Sequence, residues 1–181
     1  MTSLANPPRK TIALVGLMGV GKSSIGRRLA TALGLPFKDA DTEIEAAAGR
    51  TISDIFTLFG EAAFRDGERR VIARLLDDPP HVLATGGGAF AQPETRALIK
   101  DKAISVWLKA DLDVLARRVS RRDHRPLLTG KDPMEVLKAH ARDRYPAFEE
   151  ADVVVETGEA AHQVAVDAII KAIAAHAATS R

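Results

Sequence analysis

At 181 residues, 46% of them hydrophobic, and with no cysteine, the chain is sized for one domain around one core and has neither disulfides nor thiolate metal sites. A net charge of +2 and 4% aromatic residues argue against a nucleic-acid surface, which needs a basic stripe or stacking rings. No apolar run approaches the roughly 20 residues that span a membrane. Residues 1–10 carry Pro7 and Pro8 and lack the apolar segment of a signal peptide, so a cytoplasmic chain is expected, with neither nucleic acid nor membrane as partner. None of the five histidines pairs with another at metal-ligand spacing. Any metal is therefore expected on oxygen ligands, which suits Mg²⁺.

In chain order, residues 1–10 read as a disordered or extended segment, 11–178 as a single domain and 179–181 as a frayed tail. Thr11 to Val15 is an apolar strand, and Ser24 to Leu33 a helix stopped by Gly34. Leu35 to Lys38 is a short second strand, ending at Asp39-Ala40-Asp41. Thr42 to Ala48 is helical up to Gly49. Thr51 with Asp54 then makes a cap signature before Ile52, Ile55, Phe56 and Phe59, which share an apolar face. Glu61 to Leu76 is a longer helix, weakened at Gly67 by about 1 kcal/mol relative to Ala. Val82 to Thr85 is a third strand running into Gly86-Gly87-Gly88. A helix at Pro93 to Lys100, a strand at Ile104 to Leu108 and a helix at Asp111 to Arg122 follow. A mobile lid is expected over about 120–133, around Arg125-Pro-Leu-Leu128. Pro133 to Tyr145 is helical, Val153 to Val155 a fifth strand, and Ala160 to Ala178 an alanine-rich helix. Strands alternating with helices predict an α/β fold, a parallel sheet covered on both faces.

The chemistry is concentrated at Gly16 to Ser23, which reads G-L-M-G-V-G-K-S between a strand and a helix, the context of a phosphate-binding loop. Its main-chain N–H groups, with the positive end of the next helix, cradle a polyphosphate. Lys22 reaches the β and γ phosphates, and Ser23 ligates Mg²⁺. The sequence argues against a guanine-nucleotide switch: no aspartate has a glycine three residues later, and the only asparagine is Asn6. Strand Val82 to Thr85 ends in glycines instead of the acidic residue of a motor ATPase, so Asp39 is the best-placed carboxylate for the metal. A small-molecule kinase is the remaining reading. Asp41 is placed to orient an acceptor hydroxyl and take its proton, although both aspartates also suit helix capping. Arg125 is placed to close over the γ-phosphate, while Arg117, Arg121 and Arg122 read as a solvated face. Arg65 and Arg144 have the chemistry to fork a carboxylate, with pairing of Arg65 to Glu61 or Glu68 along its helix as the simpler alternative. Gly86 to Gly88 allows close approach to a ligand, or is a plain turn.

Six segments in register resemble the shikimate kinase family: the phosphate loop, Asp39 to Asp41, Gly60 to Arg65 (G-E-A-A-F-R), Gly86 to Gly88, Arg125 to Leu128 and Arg144 to Phe148 (R-Y-P-A-F). The resemblance implies a P-loop three-layer α/β/α fold related to nucleoside monophosphate kinases, with a five-stranded parallel sheet in the order 2-3-1-4-5. It implies transfer of the γ-phosphate of MgATP to the 3-hydroxyl of shikimate, on the way to chorismate and the aromatic amino acids, by a monomer. ATP is expected at Gly19, Val20, Gly21, Lys22, Ser23, Ser24, Arg118 (against the adenine) and Arg125. Shikimate is expected at Asp41, Arg65, Gly86, Gly87, Gly88 and Arg144, and Mg²⁺ at Ser23 and, through water, Asp39. Lys22, Asp41 and Arg125 are the expected catalytic groups. The chain departs from the family pattern at Gly67 and over Glu156 to Ala160. A gluconate-type sugar-acid kinase and a noncatalytic nucleotide-dependent module are the competing expectations.

Overall fold

The computed structural model describes residues 8–121 and 130–180. Burial on both faces organises the sheet. Strand β1 (Thr11–Val15) is buried at every position and pairs in parallel with β3 (Val82–Ala84) on one side and β4 (Ala103–Lys109) on the other. Strand β2 (Phe37–Asp39) extends the sheet beyond β3, and β5 (Val153–Glu156) extends it beyond β4. The order is β2-β3-β1-β4-β5, all parallel, as the resemblance implied. A continuous apolar run such as Ile12-Ala13-Leu14-Val15 suits the centre of such a sheet. By contrast, β5 alternates buried and exposed residues, as an edge strand does.

The helices are α1 (Lys22–Leu33), α2 (Ala40–Ala48), α3 (Ile52–Leu76), α4 (Pro93–Lys102), α5 (Leu112–Ser120), α6 (Pro133–Phe148) and α7 (His162–Thr179). The phosphate loop turns β1 into α1, and Gly16 lets it do so. A Cβ at Gly16 would lie 2.6 Å from the Leu108 carbonyl oxygen of β4, so a side chain there would push the loop off the sheet. Asp39 then turns β2 into α2: its Oδ1 accepts from the amides of Asp41 and Thr42 at 3.0 and 3.4 Å, satisfying N–H groups that a helix start leaves unpaired.

The reading of two helices, the second from Glu61, holds in substance: α3 is two helical segments that meet at a kink, where Gly60 adopts φ 84° and ψ 173°, a conformation open mainly to glycine. Several other expectations are corrected. Phe59 lines one groove with Ile55, Ala47 and Ala63, but unlike Ile55 it stays 59% exposed. Its ring is met by the Arg50 guanidinium at 5.8 Å. Helix α6 runs through Pro146 to Phe148, although the proline has no N–H to give the helix there. Helix α5 ends at Ser120, and Arg122 lies outside the described residues. Thr179 is helical, not frayed: the His176 carbonyl accepts from the Ser180 N–H at 3.2 Å and from the hydroxyls of Thr179 and Ser180 at 2.9 and 3.0 Å.

Candidate active site

Two cavities open side by side at the carboxyl ends of β1, β2 and β3, where open α/β sheets carry their ligands. The smaller, about 120 Å³, is lined by Gly19, Gly21, Lys22, Ser23, Ser24 and Asp39, among others. Lys22 Nζ donates to the carbonyls of Gly16 and Leu17 at 2.6 and 3.1 Å, so its ammonium is held inside the arch of the loop. Ser23 Oγ donates to Asp39 Oδ2 at 2.5 Å. A hydroxyl and a carboxylate from different elements thus converge, a hard-oxygen pair that fits Mg²⁺. Asp39 thus caps α2 with one oxygen and faces Ser23 with the other. Among the described residues, no cluster of three or more acidic or histidine side chains makes a metal cage.

The larger cavity, about 290 Å³, holds Asp41, Arg65, Gly86, Gly87, Gly88 and Arg144 in its wall, every residue expected on the acceptor side. Asp41, Met18, Gly86 and Gly87 border both cavities. Arg65 is presented by the kinked α3: Gly60 makes the kink, and buried Phe64 anchors the next turn against Phe56 with ring centroids 4.6 Å apart. Arg144 is presented by α6, which docks on β4 through Trp107, Tyr145 and Phe148, with centroids 5.0 to 6.2 Å apart. Burial, and next the Arg65 guanidinium, lower the pKa of Arg144. Two cations held this close in a partly dry cavity favour an anion between them.

The glycine triplet is more than a turn, and it works through space. A Cβ at Gly86 would lie 3.1 Å from both Asp41 Oδ1 and Glu68 Oε2, and one at Gly88 would lie 2.5 Å from Arg65 Nη2. At Gly87 the nearest atoms would be Arg144 Nη1 and the Met18 amide, both at 3.4 Å. Each glycine leaves room for charged groups of the larger cavity: Gly86 for Asp41 and Glu68, Gly87 for Arg144, Gly88 for Arg65.

Shikimate kinase family models match residues 18–174. A shikimate kinase of Caulobacter vibrioides is 72% identical over 164 residues, 91% of this chain and 82% of that protein. One from Paramagnetospirillum magneticum is 56% identical over 164 residues, 91% and 84% of the two chains. The chain belongs to the shikimate kinase family. Among solved structures, shikimate kinase from Acinetobacter baumannii in complex with shikimate superposes with a TM-score of 0.88 at 38% identity, covering 92% of this chain and 93% of that one. Shikimate kinases are ATP-dependent phosphotransferases, so the noncatalytic module falls away.

Against the expectations drawn from the shikimate kinase resemblance, Arg118 is held in a specific way. Its guanidinium donates to the carbonyls of Gly19, Val20 and Gly158 at 3.2, 3.3 and 2.6 Å, tying the phosphate loop to the segment after β5. Buried Val20 and Arg118 border a third cavity, about 70 Å³, with Gly158 and His162. The departing segment Glu156 to Ala160 thus meets the phosphate loop through main-chain carbonyls, which need no particular side chain. Arg117 pairs with Glu159, and Arg121 is exposed, as a solvated face predicts. Arg125 and the centre of the expected lid lie outside the described residues.

Sequence reasoning missed two ionisable residues in the wall of the larger cavity, Glu68 and His140. Glu68 is 1% exposed and accepts from Arg65 Nη1 at 2.8 Å. Burial raises its pKa, and Arg65 opposes that rise. The pairing of Arg65 along its own helix therefore coexists with its place in the cavity wall. The signal was available: Glu68 occupies a core position of the series Phe64, Glu68, Ile72, Leu75, where a carboxylate needs a partner. His140 also lines the cavity, one helical turn before Arg144.

Proposed function

We propose that the chain is a cytoplasmic, monomeric shikimate kinase that transfers the γ-phosphate of MgATP to the 3-hydroxyl of shikimate, on the route to chorismate and the aromatic amino acids. The observation that carries the reading is the position of Asp41 on the border of both cavities, with phosphate-loop groups on one side and the Arg65 and Arg144 pair on the other. A carboxylate-bearing polyol anchored by the two arginines would bring a hydroxyl to Asp41, facing the end of the polyphosphate. Asp41 would orient that hydroxyl and accept its proton as the bond to phosphorus forms.

Lys22 would exchange its two carbonyl partners for oxygens of the β and γ phosphates, since a cation already aimed into the arch needs little rearrangement. Ser23, and Asp39 through water, would hold Mg²⁺, which when bound neutralises charge on the polyphosphate. Backbone amides of Gly19, Val20, Gly21 and Ser24 would complete the phosphate cradle, Arg118 would lie beside the base, and Arg125 would close over the γ-phosphate. Main-chain atoms at Gly86 to Gly88 would contact the ring directly, because no side chain intervenes. A coupled assay of ADP release with MgATP tests the reading, with shikimate and gluconate as parallel acceptors. Turnover on shikimate is expected; turnover on gluconate alone, or on neither, would overturn it.

A further inference from the structure

His140 has no role in the chemistry derived above, yet it is built into the acceptor cavity. It stands at i, i+4 from Arg144, the spacing that puts two side chains on one face of a helix, and α6 turns that face to the cavity. Its Nδ1 is shielded from solvent and has no hydrogen-bond partner among the described residues. Burial lowers the pKa of His140 to about 4, with the charges of Arg144 and then Arg65 among the further causes. At neutral pH the ring is therefore an uncharged imidazole set within the field of both guanidinium groups, where the anionic end of an acid would sit.

We infer that His140 is a third recognition group for the acceptor, whose neutral imidazole donates a hydrogen bond to the carboxylate held by Arg65 and Arg144. This rests on the proposed acceptor reading. The arginines supply charge in the planar fork that suits a carboxylate. His140 supplies a directional donor without adding a third positive charge to a cavity already holding two. A charge-assisted bond of this kind is stronger than one between neutral groups, and an apolar side chain of similar size cannot replace it. His140 is thus a specificity-determining residue and not a catalytic one; its contribution falls on acceptor binding and leaves the nucleotide side alone.

The test is steady-state kinetics at pH 7.5 with MgATP and shikimate for the wild-type chain, His140→Leu and His140→Gln. In His140→Leu, KM for shikimate should rise about tenfold, the loss expected for a hydrogen bond to a charged group, while kcat and KM for ATP stay within about twofold. His140→Gln, which keeps an uncharged donor, should recover most of the loss. An unchanged shikimate KM in His140→Leu would overturn the inference, and so would a His140→Gln variant as impaired as His140→Leu, because only shape would then matter. Unaltered ATP kinetics in each variant report an intact fold. Turnover of shikimate by the wild-type chain separates failure of this inference from failure of the kinase reading.

Discussion

Gly88→Ala adds one methyl group, and the structure gives its consequence in some detail. The new Cβ would lie 2.5, 3.0 and 3.1 Å from Nη2, Cζ and Nη1 of Arg65. Comfortable contact between such heavy atoms begins near 3.5 Å, so the guanidinium must retreat by about 1 Å. Backbone strain does not contribute, because Gly88 is not among the glycines with positive φ. Arg65 can move, since its contact is the far end of a flexible side chain, and the fold should lose less than about 1 kcal/mol. Its function cannot follow so easily: a displacement of that size in a positioning group costs up to about 10²-fold. We expect KM for shikimate to rise between about 10- and 100-fold, with KM for ATP unchanged and Tm nearly so. Steady-state kinetics with each substrate varied in turn, beside a thermal melt, would measure this. A normal shikimate KM in a folded Gly88→Ala protein would refute the reasoning, as would equal losses on both substrates.

Asp41→Asn should lower kcat by about 10²- to 10⁴-fold, the range of a positioned proton acceptor, with ATP affinity retained in a direct binding titration; near-normal turnover would remove Asp41 as the acceptor-side group. Gly67→Ala should stabilise the chain by about 0.5–1 kcal/mol in urea unfolding, since nothing lies within 4 Å of the added Cβ and the glycine is inside α3 with an ordinary helical φ. Acid should destabilise the ligand-free protein before its carboxylates titrate. The folded-state pKa values of His140 (about 4) and His81 are held below the ordinary 6.5, chiefly by burial. The unfolded chain therefore takes up protons that the native state refuses, and the stability these histidines contribute is whole above pH 6.5 and lost as pH falls towards 4. Discounted for its partial exposure, His140 should account for about 1 kcal/mol between pH 7.5 and pH 5. A urea midpoint that does not fall over that interval, or falls equally in His140→Leu, would contradict this assignment.

Much of the donor half is local and was legible as such. The sequence Gly16 to Ser23 dictates its own loop, because the strand before it, the glycines within it and the helix after it are consecutive in the chain. Asp39 and Asp41 were legible for the same reason, two residues apart at the end of one strand. The acceptor half joins residues distant in sequence. Arg65 and Arg144 lie on different helices, so no stretch of sequence shows that they line one cavity, or that the Glu68 paired with Arg65 is buried. Phe59 was misread because helical periodicity reports a face and not whether anything covers it. His140 offered no motif at all.

Alternation of apolar runs with amphipathic stretches, together with glycines where the backbone must turn, determined by local physics alone that this chain is a parallel α/β domain with a phosphate cradle. The resemblance supplied the strand order. Tertiary structure decided what the cradle faces. Charge, burial and the room left by Gly86, Gly87 and Gly88 depend on elements that meet only once the sheet has closed, and no window of the sequence contains them both.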